Sequence, residues 1–414
     1  MVTTAPPIEP ASGCDPLLVG VEVEPREYQR RVVNRVIEMF SGPHVDRRQQ
    51  LPEARSVIVE SPTGSGKTVM GLLVARWAEA QGMRVVWAAM RRNLLVQVER
   101  ENARRGFGVS MQIVSMFDRH PPRGDLLIVD EAQHDATTSM ASLHAAVGPA
   151  KVLGLSATPW RSDRLGLCFE RTVRDAGIRQ LILDGYLSPF AHYTIPDWHP
   201  ATVARTWLAE PGCWGRSLIF FRTLAECRAC AAALAAGGEA CEVVTGSSDR
   251  EAQIERFERG EVRVIVGAAV LTEGFDCPGL QTVFARPAGK GPTIQMAGRV
   301  LRRAAEIPLK NVVQCSQTRH PFTATAAPAV QCIQSARGWE SIGLNDRIEQ
   351  MSGRMVELLV RMSREERRRS RRTRLEDGGP ASGLGPRPIK PWNFRVEESR
   401  DGFLRSSGDH DTHG

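Results

Sequence analysis

Ser61-Pro62-Thr63-Gly64-Ser65-Gly66-Lys67-Thr68 follows the apolar run Val57-Ile58-Val59 and opens a segment, Val69 to Ala80, whose apolar residues recur at helical spacing. A strand, a glycine-bearing loop and a helix start, in that order, predict a phosphate cradle. Gly64 and Gly66 let the backbone turn its N–H groups inward, and the helix beginning near Lys67 aims the positive end of its dipole at the same anion. In a loop of Thr63, Gly64, Ser65, Gly66 and Lys67 the ammonium reaches the β- and γ-phosphates of ATP, and the Thr68 hydroxyl reaches Mg2+. The pattern's first position, usually glycine, is Ser61 here, a small-for-small change.

Lysine is scarce in this chain. Of 54 basic residues only five are lysine: Lys67, Lys151, Lys290, Lys310 and Lys390. A compact ammonium fits a narrow backbone cradle that excludes a planar guanidinium fork, so lysine in this loop is a specific choice.

Downstream, short apolar strands alternate with helices. Val85 to Ala89 reads as a strand, Arg92 to Arg104 as a helix, Gln112 to Val114 as a strand, Leu126 to Val129 as a buried strand ending at Asp130, and Val152 to Leu155 as another. That alternation predicts a parallel sheet covered on both faces, with the functional loops along one edge. Asp130, at the tip of a buried strand about 70 residues after the cradle, is placed to hold the metal through water. Glu131 beside it is placed to polarise the attacking water. Ser156 and Thr158 end the next strand with two hydroxyls suited to linking the nucleotide site to a moving neighbour. Upstream, Pro25 to Gln29 leads into a helix, Arg30 to Phe40, where Gln29 is either an adenine-reading amide or an ordinary surface glutamine.

The second half repeats the α/β pattern without a phosphate loop of its own. Strands at Ser217 to Phe221, Cys241 to Val244, Arg263 to Val266 and Gln281 to Phe284 alternate with helices at Thr223 to Ala236, Asp249 to Arg259 and Pro292 to Arg303. Thr272 and Gly274, after a strand, are candidates to meet a sugar-phosphate backbone, and Asp276 to orient the arginines that follow. Arg299 and Arg302 stand three apart, on one face of the expected helix. Two such cations can act as arginine fingers on a triphosphate held by the other half, and a solvated basic face fits the same spacing.

Cradle, Asp130-Glu131-Ala132-Gln133 box and Ser156-Ala157-Thr158, in that order, resemble the first RecA-like domain of superfamily 2 helicases and translocases, and Gln295-Met-Ala-Gly-Arg-Val-Leu-Arg302 is similar to that family's QxxGRxxR motif. The resemblance covers Pro25 to Val313. It implies an adenine-reading role for Gln29, a grip on a nucleic-acid backbone by Arg91, Arg92 and Gln97, and coupling roles for Gln133, Ser156, Thr158 and Gln295. Asp184-Gly-Tyr-Leu-Ser-Pro189 is similar to the connector between lobes in RadD-like and restriction-associated translocases. The fold class it implies is α/β: two RecA-like parallel-sheet domains in tandem, a small C-terminal appendage and a basic, disordered tail. The expected boundaries are a flexible lead-in (1–24), an ATP-binding domain (25–185), a second domain (186–315), an accessory region (316–362) and the tail (363–414).

Composition narrows the setting. The net charge is +7, and the Arg361 to Asp377 run alone contributes +4, so the folded body is only mildly basic. No apolar run is long enough to cross a membrane, and scattered cysteines favour reduced thiols, which together suggest a cytoplasmic protein. Cys227-Arg-Ala-Cys230 lies in an alanine-rich helical stretch without a second pair, a poor zinc or redox site. The expectation is an ATP- and Mg2+-dependent enzyme moving on nucleic acid, DNA before RNA, with protein partners in a repair or defence complex. An ATP-gated clamp and a motor subunit of a nuclease complex are the alternatives.

Overall fold

The computed structural model describes residues 15–46, 48–134, 138–159, 167, 169–268, 277–335 and 338–344. The first lobe runs through α1 (Glu27–Ser41), the hairpin β1 (His44–Asp46) and β2 (Gln49–Leu51), β3 (Ser56–Glu60), α2 (Lys67–Ala80), β4 (Val85–Ala89) and α3 (Arg92–Arg104). It continues through β5 (Met111–Ser115), β6 (Leu126–Asp130), α4 (Thr138–Val147), β7 (Lys151–Ser156), β8 (Arg171–Arg174) and α5 (Ile178–Leu183). Six of these strands form one sheet in the order β5-β4-β6-β7-β3-β8, every pair parallel.

Alternation within the strands explains why both faces are covered. Val57, Val59, Trp87, Ile128 and Leu155 enter one core cluster, while Ile58, Val86, Ala88, Leu127 and Val129 enter the cluster on the opposite face. Successive side chains point to opposite faces, so a continuous apolar run feeds two cores, each large side chain contributing roughly 1.5–3 kcal/mol.

The second lobe comprises β9 (Phe190–Ile195), α6 (Pro200–Ala209), α7 (Pro211–Trp214), β10 (Ser217–Phe220), α8 (Leu224–Ala236), β11 (Cys241–Val244), α9 (Arg250–Glu258) and β12 (Val264–Gly267). It ends with β13 (Thr282–Phe284), α10 (Lys290–Gly298), β14 (Lys310–Cys315), β15 (Val330–Ser335) and β16 (Gly338–Leu344). Its eight-stranded sheet has the order β11-β12-β10-β13-β14-β9-β15-β16, parallel except for the last pair. Leu218, Phe220 and Val283 face one core, and Ile219, Phe221 and Phe284 the other.

Two features differ from the sequence reading. The β-rich segment after the last motif adds β15 and β16 to the second sheet, with β15 parallel to β9, rather than standing apart. Within the lead-in, a 3-10 turn at Asp15–Leu18 buries Leu17 in the first core, and the Glu22 N–H donates to the Arg105 carbonyl at 2.8 Å, so the stretch is anchored at both ends. Cys227 and Cys230 are core residues of the second lobe, and burial pushes their thiols up to about 11 and about 12, which keeps both protonated at neutral pH. The basic tail lies outside the described residues.

Candidate active site

Register brings the first lobe's chemistry to one level. Glu60 pairs with Ser156 and Asp130 with Leu155, so β3, β6 and β7 end together and their loops leave the sheet side by side. The phosphate loop then turns back over α2 through two left-handed glycines, Gly64 at φ 81° and Gly66 at φ 78°. A side chain at Gly66 would also put its Cβ 2.4 Å from Gln29 Nε2. Ser61, where glycine is usual, has a structural use: its hydroxyl donates to Ser65 Oγ at 2.7 Å, and its N–H to the Ser156 carbonyl at 2.9 Å. The serine thereby closes the loop on itself and ties it to β7.

Gln29 is buried against this loop. Its Nε2 donates to the Ser65 carbonyl at 2.7 Å, and its Oε1 accepts the Arg26 N–H at 2.9 Å. One amide hydrogen and one lone pair remain for a base, by the bonding capacity of a carboxamide.

A cavity of about 500 Å³ lies between the lobes. Lys67, Thr68, Asp130 and Glu131 line it from the first lobe, and Arg299 and Arg302 line it from the second. Thr63, Gly64 and Gly66 complete its phosphate-loop wall. Glu131 holds a left-handed backbone at φ 52°, uncommon for a non-glycine residue, and its N–H donates to Asp130 Oδ1 at 2.9 Å. Backbone strain of this kind persists only where the surroundings hold it, and it fixes both carboxylates at the strand tip.

From Glu131 a continuous line of hydrogen bonds crosses to the second lobe. Gln133 Nε2 donates to Glu131 Oε2 at 3.0 Å, Ser156 Oγ donates to Gln133 Oε1 at 2.6 Å, and the Thr158 N–H donates to Ser156 Oγ at 3.0 Å. Gln295 Nε2, on α10, donates to Thr158 Oγ1 at 3.0 Å. The four residues read from sequence as coupling residues are thus one connected chain.

The expected helix from Pro292 to Arg303 is shorter. α10 ends at Gly298, and the N–H groups of Arg299, Val300 and Leu301 bond three residues back, at 3.3, 3.3 and 3.4 Å. The Leu301 carbonyl accepts the Ser188 N–H at 2.8 Å, which pins the tightened turn to the connector between lobes. Because residues three apart eclipse in 3-10 winding, Arg299 and Arg302 still face the same cavity. Arg299 is buried; Arg302 is partly accessible, and burial lowers its pKa to about 10, opposed by the nearby Glu101 carboxylate.

The backbone-gripping set divides. Arg91 caps α3 and Arg92 is exposed on its first turn, whereas Gln97 lines the inter-lobe cavity with Leu94 and Glu101. Positions 94, 97 and 101 share one helical face and Arg92 does not, so helical geometry separates what a linear motif joins. Thr272, Gly274 and Asp276 lie outside the described residues.

Two tyrosines escaped the sequence reading. The Tyr28 hydroxyl donates to the Ser65 carbonyl while its ring packs in the second lobe's core, 5.4 Å from the Tyr186 ring. Arg26 lies 4.9 Å over Tyr186, which also lines the cavity. Rarity was the available signal: the chain has three tyrosines, and two meet here.

Comparison with known proteins falls on the same two lobes. Residues 22–115 match the family model described as Type III restriction enzyme, res subunit, and residues 204–304 match the helicase conserved C-terminal domain. The first match falls within the first lobe and the second within the second lobe. Among solved structures, this chain is similar to the DNA-bound ATP-dependent Type ISP restriction-modification enzyme LlaBIII, with TM-score 0.54 and 14% identity over 73% of this chain and 28% of that one. It is also similar to S. cerevisiae Dbp5 bound to RNA and ADP BeF3, with TM-score 0.53 and 16% identity over 75% of this chain and 90% of that one. At these identities the likeness speaks for the fold. A "51.5 kDa protein" of Lactococcus phage (isolate 7-9) is 25% identical over 149 residues, 34% of this chain and 32% of that protein. The chain thus spans about a third of the length of the curated relative it matches. No helix among the described residues is long and apolar enough to cross a membrane.

Proposed function

We propose that the chain is an ATP-dependent nucleic-acid helicase or translocase that prefers DNA to RNA as its track. The observation that carries this reading is the division of one cavity's charged groups between two lobes joined by the Glu131 to Gln295 hydrogen-bond line. In this account Lys67 and the loop N–H groups hold the β- and γ-phosphates, Glu131 orients the attacking water, and Arg299 and Arg302 stabilise charge as it develops on the transferring group. Gln29, beside the loop, meets the adenine edge.

Thr68 and Asp130 are the residues that would hold magnesium. One hydroxyl and one carboxylate suit an ion that keeps several waters and phosphate oxygens, and the described residues contain no cluster of three His, Cys, Asp or Glu side chains that would favour a fully protein-held metal. When bound, magnesium supplies charge neutralisation at the phosphate oxygens.

Movement follows from linkage. Nucleotide between the lobes favours their closure, and hydrolysis relieves it; a strand held by both lobes is then gripped alternately. Arg91 and Arg92 are the first lobe's part of that grip, with Thr272 and Gly274 from the second. The likeness to a DNA-bound restriction-modification enzyme supports DNA as the track. Because the match covers 28% of that enzyme, a motor subunit serving nuclease partners in a defence or repair assembly is the second reading.

The test is steady-state ATPase of the purified full chain with single-stranded DNA, duplex DNA, RNA and no nucleic acid. DNA should raise turnover most. Equal turnover in all four conditions would sink the motor reading.

A further inference from the structure

We infer that Phe117 is a base-stacking residue on the first lobe, receiving the bases of a single strand whose phosphates lie against Arg91 and Arg92. The inference rests on the proposed reading of those arginines and adds a recognition element to it. Phe117 is 59% exposed, the one aromatic in the exposed group of large hydrophobics among the described residues. An aromatic ring left in water where cores are available on both sheet faces forgoes apolar burial, so its exposure calls for an occupant.

Strand register places the ring beside the proposed backbone grip. β4 and β5 are adjacent and parallel, with Ala89 opposite Ser115, and the Met116 N–H donates to the Ala89 carbonyl at 3.1 Å. Met90-Arg91-Arg92 and Met116-Phe117 therefore leave the sheet at the same level of the same edge, about 4.8 Å apart in strand spacing. Met116 is buried and anchors the turn, so Phe117 is the residue turned outward.

The turn that presents Phe117 is built. The Asp118 N–H donates to the Ser115 carbonyl at 2.9 Å, the Phe117 N–H to Ser115 Oγ at 3.3 Å, and the His120 N–H to Asp118 Oδ1 at 3.0 Å. The one acid of the turn is thus engaged with its own backbone, and Arg92, Arg119 and His120, on the two segments that leave this edge, are exposed. An exposed aromatic on a sheet edge whose segments also carry exposed cationic residues complements a single strand, whose bases offer π-faces and whose phosphates offer negative charge. A protein partner would account for the apolar ring but has no comparable call on the surrounding arginines.

The test measures binding of the full chain to two labelled strands of equal length, oligothymidylate and an abasic deoxyribose-phosphate strand. Phe117→Ala should weaken binding of the base-bearing strand by about 5- to 100-fold and leave the abasic strand within about twofold. Phe117→Trp should restore wild-type affinity. Arg92→Ala should weaken both strands by the same factor and lower the salt dependence. Unchanged oligothymidylate binding in Phe117→Ala, or equal losses on both strands, overturns the inference. If DNA raises the ATPase of the wild-type chain while Phe117→Ala binds normally, only this inference fails; if the wild-type chain binds neither strand and its ATPase ignores nucleic acid, the proposed function fails with it.

Discussion

The first lobe approaches the proposed triphosphate with backbone, and the second with side chains. Around Gly64 and Gly66 the contact surface is a loop eight residues long, shaped by two left-handed glycines and closed by the Ser61 to Ser65 hydroxyl bond. Around Arg299 and Arg302 it is two guanidiniums on a tightened turn whose Leu301 carbonyl accepts the N–H of the connector's Ser188. The first surface is local and neutral apart from Lys67. The second is tertiary and carries partly buried charge, with burial lowering the Arg302 pKa to about 10. The cradle is shaped by contacts within one short loop, whereas the finger side is held by a contact from the connector, more than a hundred residues away in sequence.

Substitutions on each surface should differ in what they disturb. The largest effect should come from Lys67→Ala, which removes the cradle's only charge: ATP turnover should fall at least about a hundredfold with circular dichroism and Tm unchanged. Next, Gln295→Ala removes the bond to Thr158 that joins the two surfaces. Stimulation of the ATPase by DNA should drop about tenfold while fluorescent-nucleotide affinity holds, in keeping with the loss of one partly buried hydrogen bond.

Smaller changes separate conformation from contact. Gly66→Ala should lower stability in urea by about 1–2 kcal/mol, because the left-handed backbone is strained by a side chain and the new Cβ meets Gln29. Gly82→Ala, at φ 76° with nothing within 4 Å, should cost less, and equal losses would show that the Gln29 contact is immaterial. The smallest effect concerns Lys310, buried with its Nζ donating to the Pro278 and Leu280 carbonyls at 2.8 and 2.6 Å. Burial lowers its pKa from 10.5 to about 8. Between those values the unfolded chain binds more protons than the folded one, so stability contributed by this group rises as pH rises from about 8 to 10.5. Lys310→Met should flatten that part of the Tm profile, and a profile with the same slope in both proteins would contradict the assignment.

What sequence makes legible follows the same division. Strand tips and the cradle are local, so Asp130, Glu131, Ser156 and Thr158 are readable from apolar runs that end in polar residues, and the register only aligns them. Helical periodicity over Pro292 to Arg303 does not reveal that α10 ends at Gly298 and that residues 299–301 tighten to three-back bonding, or that Leu301 is held by Ser188. Gln97 was grouped with Arg91 and Arg92 by adjacency in a motif, and the winding of α3 sends it into the cavity instead. Tyr28 and Tyr186 act through partners more than 35 residues away or on the other lobe, a relation that no local pattern encodes.

Single-turnover hydrolysis by Arg302→Ala, measured beside equilibrium nucleotide binding, tests the convergence of the two surfaces most directly. If this guanidinium meets the charge that develops on the transferring phosphoryl group, the chemical step should slow by at least about a hundredfold while nucleotide affinity changes by no more than a few fold. An unchanged chemical step would mean that the second lobe's arginine does not face the reacting phosphate.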